Sequence, residues 1–142
     1  MAWTHYQFEV EGKPAGALLD TQFSNRAPAD QLPNVAWFGV YCRLPAGGAF
    51  WDPKEQPMLD AVESDLIRLC SGFGNGWAVN VRRLDTPGLR EYYVYFGGTA
   101  ELEKVLPSLK ALHTDYRIEF DSRPDPRWSH YQSWIKESGV DG

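Results

Sequence analysis

The chain has 142 residues, 43 % hydrophobic and 23 % charged, which fits one domain, residues 1–142, with a core of its own. A net charge of −5 argues against nucleic acid as a general partner, because a phosphate backbone calls for a basic stripe, and leaves room for a basic protein partner. No apolar run reaches the length of a membrane span, and the opening MAWTHYQFEVEGK alternates where a secretory signal would be continuously apolar, so a bacterial-type cytoplasmic protein is expected.

The first element expected is a strand in WTHYQFEV (3–10), with Tyr6, Phe8 and Val10 on one face. EGKP turns the chain, AGALLDTQF returns as a second strand, and the polar, proline-punctuated stretch 24–34 reads as a loop. VAWFGVYCRL (35–44) is almost continuously apolar, as suits a central strand buried on both faces.

Asp52, with Pro53 after it and Glu55 three residues on, resembles a capping box; Pro57 moves the regular helix toward Gln56. Leu59, Val62, Leu66 and Cys70 form its apolar stripe, and GFGNG ends it. WAVNVRRL and REYYVYF are strands joined by DTPG. TAELEKVLPSLKALH is a second helix, capped by Thr99 and kinked at Pro107. YRIEFDSR (116–123) is the last strand, and a short C-terminal helix follows with Asp125 as cap and Pro126 as its first residue. The order predicts an α+β fold: a ferredoxin-like β-α-β-β-α-β antiparallel sheet with an extra N-terminal hairpin and a short C-terminal helix.

Three patterns could carry function. Asp52, Glu55, Asp60, Glu63 and Asp65 give the first helix an acidic outer face, with Trp51 at its edge. Arg82, Arg83 and Arg90 crowd one hairpin with Tyr93 and Tyr95, which suits an anion or a partner's carboxylates, or else a solvated sheet face with cross-strand pairs. In PDPRWSHYQSWI, Trp128, Tyr131 and Ile135 share one helical face, so with Asp125 and Pro126 the stretch reads as a structural latch.

Catalytic signals are few. His5, His113 and His130 fall in separate elements and no Cys-x-x-Cys spacing exists, so no metal, no cofactor and no catalytic residue is assigned. Cys42 and Cys70 lie on apolar faces and read as reduced core thiols. GFGNG follows a helix with no Walker lysine behind it and reads as a helix stop and turn.

WTHY (Trp3, Tyr6), Ala27-Pro28, LREYYVY after a glycine turn and the closing DPRWSHY together resemble the bacterial domain-of-unknown-function family DUF695. PAGGAFWDP and SWIKESGVDG depart from the pattern expected of it. The resemblance implies no established enzyme activity. Some relatives are joined to a domain similar to a regulator of ribonuclease E, and small acidic proteins of this kind resemble immunity proteins of contact-dependent toxins. The expected function is therefore a non-enzymatic protein-binding inhibitor, an immunity protein that neutralises a basic nuclease toxin through the acidic face. One alternative is a regulator of an endogenous ribonuclease. The other is a ligand-binding protein or enzyme using the arginine hairpin, which a pocket with a buried, pKa-shifted acid beside those arginines would favour.

Overall fold

The computed structural model describes residues 3–24, 30–47 and 49–139. Ala27-Pro28, Gly48 of the PAGGAF turn and the final Val140-Asp141-Gly142 lie outside the described residues.

The fold is α+β, with a six-stranded antiparallel sheet and three α-helices. Strands β1 (Trp3–Val10), β2 (Lys13–Asp20), β3 (Asn34–Tyr41), β4 (Ala78–Thr86), β5 (Leu89–Phe96) and β6 (Arg117–Pro124) run in the order β1-β2-β4-β5-β3-β6. Helix α1 (Gln56–Gly74) connects β3 to β4, α2 (Val105–Leu112) connects β5 to β6, and α3 (Ser129–Ser138) follows β6. No helix among the described residues is long and apolar enough to cross a membrane.

Local chemistry sets these limits. Between β1 and β2, Glu11 and Gly12 both take positive φ, 52° and 78°, as a two-residue hairpin turn requires. Between β4 and β5, Pro87 presets a negative φ and Gly88 takes 81°. The apolar run that opens at residue 35 stops being a strand at Tyr41, three residues earlier than its hydrophobicity suggests. The cause is Glu55, whose carboxylate accepts from the backbone N–H of Arg43 at 2.7 Å and of Leu44 at 3.0 Å and draws both away from the ladder. Asp52 caps a 3-10 turn over Pro53–Glu55, and the α-helix starts at Gln56, so Pro57 sits in the first turn where its missing N–H leaves no vacancy.

The two sheet faces carry separate cores. Ala36, Phe38, Val40, Tyr92, Val94 and Ile118 meet the α1 stripe of Leu59, Val62, Leu66 and Cys70 and the α2 residues Val105 and Leu109. On the opposite face Leu19, Val35, Val81 and Tyr95 meet Trp128, Tyr131, Trp134 and Ile135. Gly39 serves the second face. A Cβ there would lie 2.5 Å from the Trp37 ring, so only glycine lets the indole lie flat over β3, where its Nε1 donates to Glu91 at 2.8 Å.

Two helix starts differ from expectation. Thr99 does not cap α2; a 3-10 turn over Leu102–Lys104 leads into it. Pro107 then falls in the first α-helical turn, where it interrupts no hydrogen bond and ends as a helix starter. Helix α3 begins at Ser129, beyond Pro126. Asp125 caps it from the preceding turn, its carboxylate accepting from Ser129 N at 2.8 Å and His130 N at 3.1 Å. Trp128 takes a left-handed φ of 53°, which drops its ring into the sheet rather than onto the helix surface.

Candidate functional site

The β1–β2 hairpin carries the sheet past β4, while α1 lies over the inner strands. A cleft of about 500 Å³ opens between them. Trp3 and Leu18 from the hairpin, Ile67 from α1 and Val79 from β4 make its apolar walls; Glu63, Asn80, Arg83 and Tyr92 add polar groups. A β-bulge creates this arrangement. The register between β4 and β5 shifts between Asn80 and Arg82, leaving Val81 as the extra residue, so Asn80 and Arg83 both face α1 while Arg82 turns to the α3 side.

The polar end of the cleft leads into a network of two acids and two arginines. Arg83 reaches Glu63 Oε1 with Nη1 at 2.9 Å and Asp85 Oδ2 with Nη2 at 3.1 Å. Arg90, 1 % exposed, reaches Asp85 Oδ1 with Nε at 3.2 Å and lies over the Trp51 ring at 4.5 Å. The Tyr92 hydroxyl donates to Glu63 Oε1 at 2.9 Å. Burial pushes the Asp85 carboxyl above its ordinary range against the opposing pull of Arg83 and Arg90. Two acids and two arginines balance in charge here, while Arg90 Nη1 and Nη2 are buried without a hydrogen-bond partner.

The acidic face expected on α1 is largely consumed internally. Glu55 is 1 % exposed and takes no part in a surface; it accepts from Arg43, Leu44 and the Tyr116 hydroxyl, the last at 2.7 Å. Asp52 accepts from Lys54 N at 2.9 Å as a cap, and Asp65 holds His113 Nε2 at 2.8 Å and Arg68 at 3.3 Å. Trp51 lies under Arg90 and donates its Nε1 to Gln56. Of the six residues, only Asp60 is exposed, and it accepts from Gln56 Nε2 at 2.7 Å.

The arginine hairpin divides between the two faces. Arg83 and Arg90 belong to the cleft network. Arg82 is buried on the α3 side, 4.6 Å from the Trp134 ring and 5.7 Å from that of Tyr93, and pairs with Glu137 at 2.9 Å. Tyr95 is buried and donates to Asp125 Oδ2 at 2.6 Å. Strand alternation places Arg82 and Arg83 on opposite faces, but which faces depends on the bulge, for which VNVRRL carries no signal. Leu18, Ile67, Asn80, Asp85 and Tyr92 were not singled out by sequence, and Trp3 only as part of the motif shared with the family. Ile67 alone carries a hint, as a large apolar residue off the α1 stripe.

Among the described residues, no three His, Cys, Asp or Glu side chains are grouped to hold a metal ion. Cys42 and Cys70 are free; burial pushes the Cys70 thiol up to about 12 and raises Cys42 as well, so both are poor nucleophiles. No curated protein and no solved structure matches the chain. The family model that does match covers residues 1–135, from the hairpin that walls the cleft to the α3 face that closes the second core, and the protein belongs to that family of unknown function, DUF695.

Proposed function

We propose that this is a binding protein rather than a catalyst, and that the cleft between α1 and the β1–β2 hairpin is its site for a small molecule. One observation carries the reading: an apolar concavity of about 500 Å³ ends on Glu63, Arg83 and Tyr92, and Arg83 is held from behind by Asp85, a buried, pKa-raised acid. Ligand sites combine apolar walls with a few well-held polar groups in this way. The order β4-β5-β3-β6 of the strands beyond the hairpin supports reading the core as ferredoxin-like, with the hairpin as the addition that makes the cleft.

Ile67 is 45 % exposed at the cleft, so Ile67→Lys leaves the core intact while placing a charge on the apolar wall. Titration with the apolar fluorescent dye Nile red is expected to show saturable binding that weakens about tenfold in Ile67→Lys. Equal affinity in the variant, with its circular dichroism unchanged, removes the cleft as the site.

A second reading, a cytoplasmic inhibitor of the immunity type or a regulator of a ribonuclease, draws support from the net charge of −5 and from Asp60 and Met58, both exposed on α1. A basic nuclease partner captured from the native cell should associate more slowly with Asp60→Lys, with a weaker dependence on salt. An unchanged association rate removes that surface.

A further inference from the structure

We infer that the cleft selects a protonated primary amine on an apolar aromatic or alkyl body, seated with its ammonium on Glu63. This rests on the cleft being the binding site. The reasoning starts from how Glu63 is held. Its Oε1 takes the Arg83 guanidinium at 2.9 Å and the Tyr92 hydroxyl at 2.9 Å, and lies 3.7 Å from Arg90 Nη1. Its Oε2 has no hydrogen bond or ion pair to any described residue, and the side chain is 26 % exposed at the cleft. A carboxylate is thus immobilised through one oxygen with the other open to a donor, so the ordering cost of meeting an ammonium is already met by the fold.

The alternative head groups fit less well. Arg83 spends Nη1 on Glu63 and both Nη2 and Nε on Asp85. Arg82 turns its side chain to the α3 side, only 4 % exposed and tied to Glu137, and Arg90, whose Nη1 and Nη2 make no hydrogen bond, is 1 % exposed and does not line the cleft. A carboxylate or phosphate would compete with Glu63 and Asp85 for Arg83 and would meet the negative charges of Glu63 and Asp20, in a chain whose net charge is −5. A neutral hydroxyl could bond Oε2 but gains no charge attraction. The body of the ligand has Trp3, Leu18 and Ile67 to lie against.

Calorimetric titration of the full chain with 2-phenylethylamine, 2-phenylethanol and phenylacetate tests this, since the three share a body and differ in charge. The expected order is amine about tenfold or more tighter than alcohol, with the acid weakest, because a charged hydrogen bond outweighs a neutral one. Glu63→Gln should bring amine and alcohol together while Nile red still binds. As Glu63→Gln also loosens Arg83, a second measurement uses the unaltered protein: raising ionic strength should weaken the amine and leave the alcohol unchanged. Alcohol binding as tightly as amine, or acid binding tightest, overturns the inference. If none of the three binds while Nile red does, the amine selectivity falls and the cleft survives; if the dye also fails to bind, both fall.

Discussion

Trp128→Ala is expected to destabilise the fold by about 3–5 kcal/mol, the range for removing a large buried aromatic. Trp128 is 0 % exposed. Its ring stacks on Tyr95 at 4.1 Å between centroids and 19° between planes, and meets Phe23 and Tyr131 edge-on at 5.6 and 5.3 Å. The indole Nε1 donates to the Leu32 carbonyl at 2.8 Å, so the truncation also strands an acceptor. Alanine keeps the left-handed φ that Trp128 holds and the strain that goes with it; Trp128→Gly should relieve about 1 kcal/mol of that strain and so be no worse than alanine. Urea unfolding midpoints decide the matter. A loss under about 1 kcal/mol for alanine, with partner binding weakened instead, would make this surface an interface and not a latch.

Glu55→Gln should cost about 3 kcal/mol at neutral pH and flatten the acid limb of the stability profile. Burial works to raise the Glu55 carboxyl, but the Arg43 N–H, the Tyr116 hydroxyl and the Leu44 N–H together hold it below the ordinary range. A folded value below the unfolded one means that the stabilisation is present above the unfolded value, about 4.3, and is lost as pH falls through the folded one. The gap between wild type and Glu55→Gln should therefore shrink below about pH 4. Asp85 and Glu91 act in the opposite direction, since burial raises both and their protonation in acid favours the folded state. They are present in both proteins, so the difference between the two curves isolates Glu55. A gap that stays constant from neutral to acid pH would show that shape, not charge, is what Glu55 supplies.

Much of the fold was legible because it is written in local patterns. The stripe Leu59, Val62, Leu66 and Cys70 is a helical period, and all four residues are buried. Tyr116, Ile118 and Phe120 alternate and reach one core. What stayed hidden depends on contacts between distant residues. Glu55 reads as an acid on a helix's outer face, and only the arrival of Arg43 and Leu44 at the end of β3 gives it buried partners. One unpaired residue, Val81, decides which faces Arg82 and Arg83 serve, and with that whether three arginines make one surface or two. Asp125 was recognisable as a cap, but its target lay a turn further on, since Trp128 had first to reach Tyr95. The cleft was the least visible, because it is the space left where the hairpin outruns α1, and its residues come from elements that share no motif.

Helix α3 ties down the opening of the chain: Tyr131 donates its hydroxyl to the Asp20 carbonyl at 2.6 Å, and Tyr6 donates to Glu137 at 2.7 Å across 131 positions of sequence. Loop-closure entropy makes such separated contacts slow to form. During synthesis, β1 through β6 can emerge and pair while Leu19, Val81 and Tyr95 still lack their cover. One face of the nascent sheet is therefore greasy until α3 leaves the ribosome, an interval in which a holding chaperone would find its grip there and lose it when α3 docks.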